Sequence, residues 1–326
     1  MRVPDERKGG TPAAPAPVVL LVVLTVLAVL TAGCGGGAAR SPDAAGGLLA
    51  RHDLRGGSYV VGGGPTTELR LLCQLTIATV QAAAGEATDE CGKDGGVDVH
   101  TAAELTDVDT GWASLRTLGP GGVPDPRGTP VDPAPDLAAL RAADAARGVS
   151  WLPPTTFTDT DVVVARTPGP LTALAAPGTT FCAAPGAVPG SAVAPGTAAL
   201  AAAYGLAPPV VVPDVNAVLA NVATGRCTAG LVPGSSGRIP ALGLVVRDDD
   251  RRVLDDGPPG SRGYAPMLRT GVLTGRPDLA GALADLTTRL DGPAVRAMTR
   301  EVEVDGRDPR DVARRWLTAQ GLIARG

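Results

Sequence analysis

The sequence predicts an α/β protein, on three observations. Short β-rich runs, such as Val162-Val163-Val164 and Val210-Val211-Val212, alternate along the chain with segments of helical period. The composition is 44% hydrophobic and 19% charged, as expected of a globular protein with a real core. The 326 residues are enough for two domains, or for two lobes of one.

The N-terminus reads as an export signal. Arg2, Arg7 and Lys8 give a basic start, and residues 18–30 (VVLLVVLTVLAVL) form an apolar core that ends in Thr31, Ala32, Gly33 and Cys34. The run is shorter than the ~20 residues of a membrane-spanning helix, and the small residues after it fit a cleaved signal. A cysteine directly behind small residues resembles a bacterial lipobox, with Cys34 lipidated as the mature N-terminus. Thr31 stands where leucine is usual, and Leu30 lies one place earlier. The alternative is an ordinary signal peptide. On the lipobox reading, residues 1–33 are removed and 34–55, rich in Gly and Ala, form a flexible tether. The protein is then held at the cell membrane, lipid-anchored on its extracytoplasmic face.

The folded part is expected to start with a strand over 58–61. A Gly62-Gly63-Gly64-Pro65 turn follows, then a helix over 67–84 capped by Thr66 and stopped by Gly85. Leu69, Leu72, Cys73, Thr76, Ile77 and Val80 make one apolar face at helical spacing. The glycine turn has two readings: an anion site at a helix N-terminus, or a tight βα turn. Without GK[ST] or GxGxxG it is not a nucleotide loop. A second strand is expected over 97–100, with a helix starting at Thr101.

Residues 118–136, dense in Pro and Gly, read as a loop, and 137–147 as an alanine-rich helix. Residues 167–196 read as irregular. Helices are expected over 197–204, ended by Gly205, and over 215–224, capped by Asp214 and stopped by Gly225. A strand over 228–232 leads to the loop 233–237. Residues 242–246 and 252–254 flank Asp248-Asp249-Asp250, read as a solvated hairpin tip. The tail is helical: Leu279, Leu283, Leu286 and Leu290 make one stripe, and Asp308 caps a last helix with Pro309 at its first position and Val312 and Trp316 facing inward.

The formal charge is −4, so there is no basic footprint for nucleic acid. Besides Cys34, four cysteines remain: Cys73, Cys91, Cys182 and Cys227. Outside the cytoplasm an even number suggests disulfides, with three possible pairings. Cys73–Cys91 with Cys182–Cys227 keeps each bridge within one lobe. Zinc is the competing reading, but there is no CxxC spacing. The two histidines are His52, in the tether, and His100, at a strand end, so no metal or other cofactor is expected. No nucleophile–base pair and no GxSxG is present, so no enzyme is expected.

Several motifs, in order, resemble those of the glycine betaine/choline/proline-betaine substrate-binding proteins of ABC transporters. VGGGPTTEL, residues 61–69, resembles VGSKNFTEQ. ELTDVDTGW, residues 104–112, resembles DLYPEYTGT. FTDTDVVVA, residues 157–165, resembles FNNTYALAV, and SSGRI, residues 235–239, resembles TDGRI. Residues 244–250 resemble the strand ending in acidic residues that follows. The tail from Arg276 to Ile323 keeps the family's order of PELA, AMR with LN and VDV, then VA, FL and GL.

The resemblance implies a two-lobed periplasmic-binding-protein fold (type II) that closes on its ligand by hinge motion. Residues 151–165 (WLPPTTFTDTDVVVA) and 239–254 (IPALGLVVRDDDRRVL) would hold the two crossings. Lobe 1 would be 56–158 with 245–326, and lobe 2 would be 159–244. It implies a small-molecule solute, betaine- or choline-like, delivered to an ABC permease with its ATPase.

In the family a quaternary ammonium sits in a cage of tyrosines by cation–π attraction. Here the tyrosine of EYTGT falls on Asp109, that of NNTY on Asp161, and the one that can precede TDG on Pro233. The last residue of YTGT becomes Trp112. Aligned positions make Thr67, Asp109, Thr110, Trp112, Phe157, Thr158, Asp159, Thr160, Asp161 and Ser236 the candidate ligand-binding residues. Asp109 and Asp161 would take a cation, and Trp112 and Phe157 would supply an aromatic face. The alternative is a diverged surface lipoprotein that keeps the fold but acts as an interaction protein without a transport ligand.

Overall fold

The computed structural model describes residues 46–92, 99–115, 137–158, 160–185, 197–254 and 263–325. Cys34, the signal, the tether up to residue 45, Asp159 and the loop 118–136 lie outside these residues. The strands, in chain order, are β1 (Ser58–Gly63), β2 (Glu86–Cys91), β3 (Thr110–Ser114), β4 (Val149–Trp151), β5 (Asp161–Ala165), β6 (Phe181–Ala183), β7 (Val210–Val211), β8 (Ala229–Pro233), β9 (Val245–Val246) and β10 (Tyr264–Arg269). The helices are α1 (Thr67–Ala82), α2 (Val99–Glu104), α3 (Leu137–Ala145), α4 (Thr197–Tyr204), α5 (Val215–Ala223), α6 (Arg238–Ala241), α7 (Thr270–Gly275), α8 (Pro277–Thr287), α9 (Gly292–Glu303) and α10 (Pro309–Ala319).

The strands form two five-stranded sheets. The first runs β2-β1-β3-β10-β4 and the second β7-β6-β8-β5-β9. In each, the strand arriving from the other sheet is antiparallel to its neighbours: β10 lies between β3 and β4, and β5 between β8 and β9. The remaining pairs are parallel. Each sheet has its own core. The largest gathers α1, α8, α9 and α10 around Leu72, Leu75, Leu283 and Leu286, and the second sheet packs on Val218, Val222 and Leu219 of α5.

The expected local signals account for most helices. The Thr66 hydroxyl accepts from the Leu69 N–H at 3.4 Å and opens α1. Asp214 caps α5 through the Ala217 N–H at 2.8 Å, and Asp308 caps α10 through the Arg310 N–H at 2.8 Å. Leu279, Leu283, Leu286 and Leu290 are all fully buried. The glycine turn proves to be a packing device. A Cβ on Gly63 would lie 2.5 Å from the Cys73 Cβ, so glycine lets β1 approach α1.

Several expectations are corrected. The strand over 97–100 is not formed by its described end: Val99 and His100 begin α2. His100 is buried there, stacked on Trp151 and hydrogen-bonded to Asp144, a tertiary contact that the local β-propensity does not foresee. No strand is expected over β2, β3, β4 or β10; β2 carries four polar residues out of six, and β10 contains Pro266. Residues 46–57 are not all tether. A 3-10 turn, Leu48–Arg51, docks on the C-terminus through Leu48 N–H to Gly321 O and Leu49 N–H to Leu322 O. His52 faces Asp285 at 2.8 Å. Within 167–196, Leu171–Ala175 form a 3-10 turn and β6 is a strand.

The acidic run is no free hairpin tip. Asp249 accepts from the Tyr204 hydroxyl and the Leu254 N–H, and Asp250 from the Thr172 N–H. Burial and the hydrogen bond to Asp249 push the Tyr204 phenol up to about 12. Of residues 242–246 only Val245–Val246 are strand, paired to β5, and Arg238–Ala241 is a helical turn.

Candidate functional site

The chain leaves the first sheet at Phe157. The Phe157 N–H bonds to Leu290 O, and Thr158 bridges to Gly263 beside β10. Two residues on, Thr160 O accepts from the Gly234 N–H at 3.0 Å, and Asp161 pairs with Pro233 in the second sheet. The Thr158 and Thr160 hydroxyls are 2.8 Å apart. Thr158, Thr160, Asp161 and the loop holding Ser236 therefore come together at one end of the second sheet. Residues up to Leu254 stay with that sheet through Asp248, Asp249 and Asp250, and Gly263 is back beside the first.

This junction is clasped by α9. Arg296 donates to Gly234 O at 3.0 Å, and the Thr299 hydroxyl to Ser235 O at 2.7 Å. A Cβ on Gly237 would lie 2.2 Å from the Arg300 nitrogen, so only glycine fits against the helix. Burial pulls the Arg296 guanidinium below its ordinary range, with the Asp291 carboxylate opposing the shift. Neither Arg296 nor Thr299 was singled out by the sequence. Their spacing of three on an amphipathic helix was the available signal, but it names no partner.

On β3 the candidates point to internal partners. Asp109 is 7% exposed. Its carboxylate accepts the Val60 N–H at 2.8 Å and the Arg269 Nε at 2.9 Å, and also pairs with Arg269 Nη2. Its charge is balanced within the protein. The Thr110 hydroxyl donates to Met267 O at 2.9 Å. Trp112 is 2% exposed, in the first core, with its indole N–H on the Thr76 hydroxyl at 2.7 Å. Phe157 is 1% exposed and stacks on Tyr264, with centroids 5.1 Å apart. The expected aromatic face is thus core: both rings are buried in the first hydrophobic cluster. Thr67 sits at the first turn of α1, partly exposed, and Asp159 is outside the described residues.

The chain has three Trp, three Tyr and two Phe, and all eight lie among the described residues. Seven are buried, and Trp316 packs partly buried against the first core. A tyrosine cage would need one of these rings pulled from a core.

Two clusters have metal-like spacing: Cys73, Asp89 and Cys91, and His100, Glu104 and Asp144. In the first, the thiols are joined as Cys73–Cys91; Cys182–Cys227 is the second bridge. In the second, Asp144 accepts from His100 and Trp151 and pairs with Arg147, which also pairs with Glu104. Both sets of donor atoms are spent on protein partners. Burial raises the Asp144 carboxyl, but hydrogen bonds from His100 and Trp151, the charge of His100 and the bond from Arg147 outweigh it, and the net shift is downward.

Two antiparallel-threaded α/β sheets, each with its own core and joined at Thr158–Thr160, make a two-lobed binding protein of the type II periplasmic fold. Several solved structures share it. Apo YehZ from Escherichia coli aligns with a TM-score of 0.66 at 20% identity, covering 81% of this chain and 99% of that one. A glycine betaine/carnitine/choline ABC transporter structure aligns with a TM-score of 0.64 at 16% identity, covering 81% and 99%. No curated protein sequence matches. Residues 57–319 match the family model described as the substrate binding domain of ABC-type glycine betaine transport system. The chain belongs to that family, and is a substrate-binding protein of a glycine betaine-type ABC importer. Among the described residues, no helix is long and apolar enough to cross a membrane.

Proposed function

We propose that the protein is a lipid-anchored receptor, held through Cys34, that passes a small cationic or zwitterionic solute to an ABC permease with its ATPase. The lobe bounds expected from the sequence, 56–158 with 245–326 and 159–244, are kept except at one place: Val245–Val246 pair with β5, so residues 245–254 are assigned to lobe 2 and the C-terminal part of lobe 1 is taken from Gly263. Solute binding at the junction shifts an open–closed equilibrium toward closure. Thr67, Thr158, Asp159, Asp161 and Ser236 are the proposed contacts. Asp109 and Thr110 hold β3 in place behind them.

The observation that carries the solute class is the position of all eight aromatic rings in or against the cores. With no ring to face a methylated nitrogen, carboxylate and hydroxyl oxygens are left to recognise the cation. Those oxygens favour an ammonium with N–H donors, which forms charge-assisted hydrogen bonds that a quaternary ammonium lacks.

The test is a thermal-shift series on the soluble form, residues 40–326, with betaines, choline, carnitine, amino acids and polyamines. A ligand that binds only the folded state raises the melting temperature by mass action. The expected hit carries N–H donors and is lost in Asp161→Ala. A betaine or choline hit that survives Asp161→Ala refutes the solute class. For the anchor, Cys34→Ala is expected to move the protein from the membrane fraction to the soluble one.

A further inference from the structure

We propose that the cavity between α6–β9 and α9 is a second ligand site, for a small organic anion with one carboxylate on an apolar body. The cavity measures about 630 Å³, within the usual range for small-molecule sites. None of the residues proposed to touch the transported solute lines it.

The apolar wall comes from the second sheet's side: Ile239 on α6, then Leu244 and Val246 on the way into and along β9. The facing wall is one face of α9, where Arg296 and Arg300 stand one turn apart. Arg296 is half-buried, and its one side-chain hydrogen bond among the described residues goes to Gly234 O. Arg300 has no side-chain hydrogen bond or ion pair among those residues. Two acidic groups share the wall. The Glu301 carboxylate is already paired with Arg307 and Arg315, which leaves Asp305 against two guanidinium groups.

The wall therefore carries net positive charge in a partly desolvated place. Arg296 is half-buried with one neutral acceptor, and burial lowers its guanidinium despite the opposing charge of Asp291, so its charge is only partly compensated. A carboxylate matches the guanidinium fork in a bidentate way and supplies the missing countercharge. The three aliphatic side chains opposite select for an alkyl body over a bare inorganic anion.

Calorimetric titration of the soluble protein with hexanoate tests this, with hexylammonium and inorganic phosphate as comparison arms. Hexanoate is expected to bind saturably with a Kd below about 1 mM. Phosphate should bind at least about tenfold more weakly, for want of an apolar body, and hexylammonium should give no heat of binding. Arg296→Met and Arg300→Met should each weaken hexanoate about tenfold or more. Arg300 is exposed and unpaired, so its variant keeps the fold even if Arg296→Met loosens the loop at Gly234. Asp161→Ala should leave hexanoate affinity unchanged, which separates this site from the solute junction. Equal binding of hexylammonium, phosphate as tight as hexanoate, or full affinity in Arg300→Met each overturns the proposal.

Discussion

Replacing Asp109 by alanine separates a structural role for this carboxylate from a ligand-binding one. In the structure its oxygens accept the Val60 N–H and two Arg269 donors, and its side chain is only 10% exposed. Removing it leaves a part-buried backbone N–H without an acceptor, at about 1–3 kcal/mol. It also strips Arg269 of its countercharge. Breaking a fully buried pair costs about 3–5 kcal/mol. Arg269, however, keeps 33% of its side chain in solvent, so water recovers much of that loss. The expected total is about 2–4 kcal/mol. For a chain of this size that lowers Tm by about 3–7 °C. Asp109→Asn keeps an acceptor for Val60 and loses only the charge pair, so it should fall between parent and alanine variant. Thermal and urea unfolding followed by circular dichroism gives the readout. A Tm within about 1 °C of the parent in Asp109→Ala, with solute binding abolished, would show the carboxylate facing solute and refute the structural pairing.

The two disulfides close loops of different length, 18 and 45 residues apart in sequence. On the chain-entropy model, Cys73→Ala/Cys91→Ala should cost about 3 kcal/mol and Cys182→Ala/Cys227→Ala about 4, compared by urea midpoints. Gly237→Ala drives a Cβ into the Arg300 backbone. It should cost at least about 1–3 kcal/mol and open the junction to limited proteolysis, whereas Gly271→Ala, with open space around it, should not. The Asp144 carboxyl is held below the ordinary carboxylate range, so its stabilisation is full above about pH 4 and lost as pH falls through the lower folded value. The parent's urea midpoint should therefore fall more steeply below about pH 4 than that of Asp144→Asn; parallel profiles would count against the His100–Asp144–Arg147 cluster.

The sequence by itself determined the elements that local rules control. Thr66, Asp214 and Asp308 cap helices because their side chains reach N–H groups two or three residues away. The leucine stripe from Leu279 to Leu290 is buried because its spacing leaves one apolar face. Ordered motifs also carried the family, since VGGGPTTEL, FTDTDVVVA and SSGRI keep their order from Val61 to Ile239 and the tail motifs follow from Arg276, largely within the matched residues 57–319. β2 and β10 were hidden for a physical reason. Strand identity there comes from the neighbours that pair with them, and EATDEC and YAPMLR carry little local β signal.

The candidate site was legible as positions and not as environments. Alignment found Thr158, Thr160, Asp161 and Ser236, which the β5–β8 pairing does bring together. It could not show that Asp109 is matched by Arg269, 160 residues away, or that Trp112 turns its indole to Thr76. Nor could it place Arg296 and Thr299 against Gly234 and Ser235. Burial and pairing are long-range properties. They arise when distant segments compete for the same charge or the same dry volume, and only the tertiary structure decides that competition.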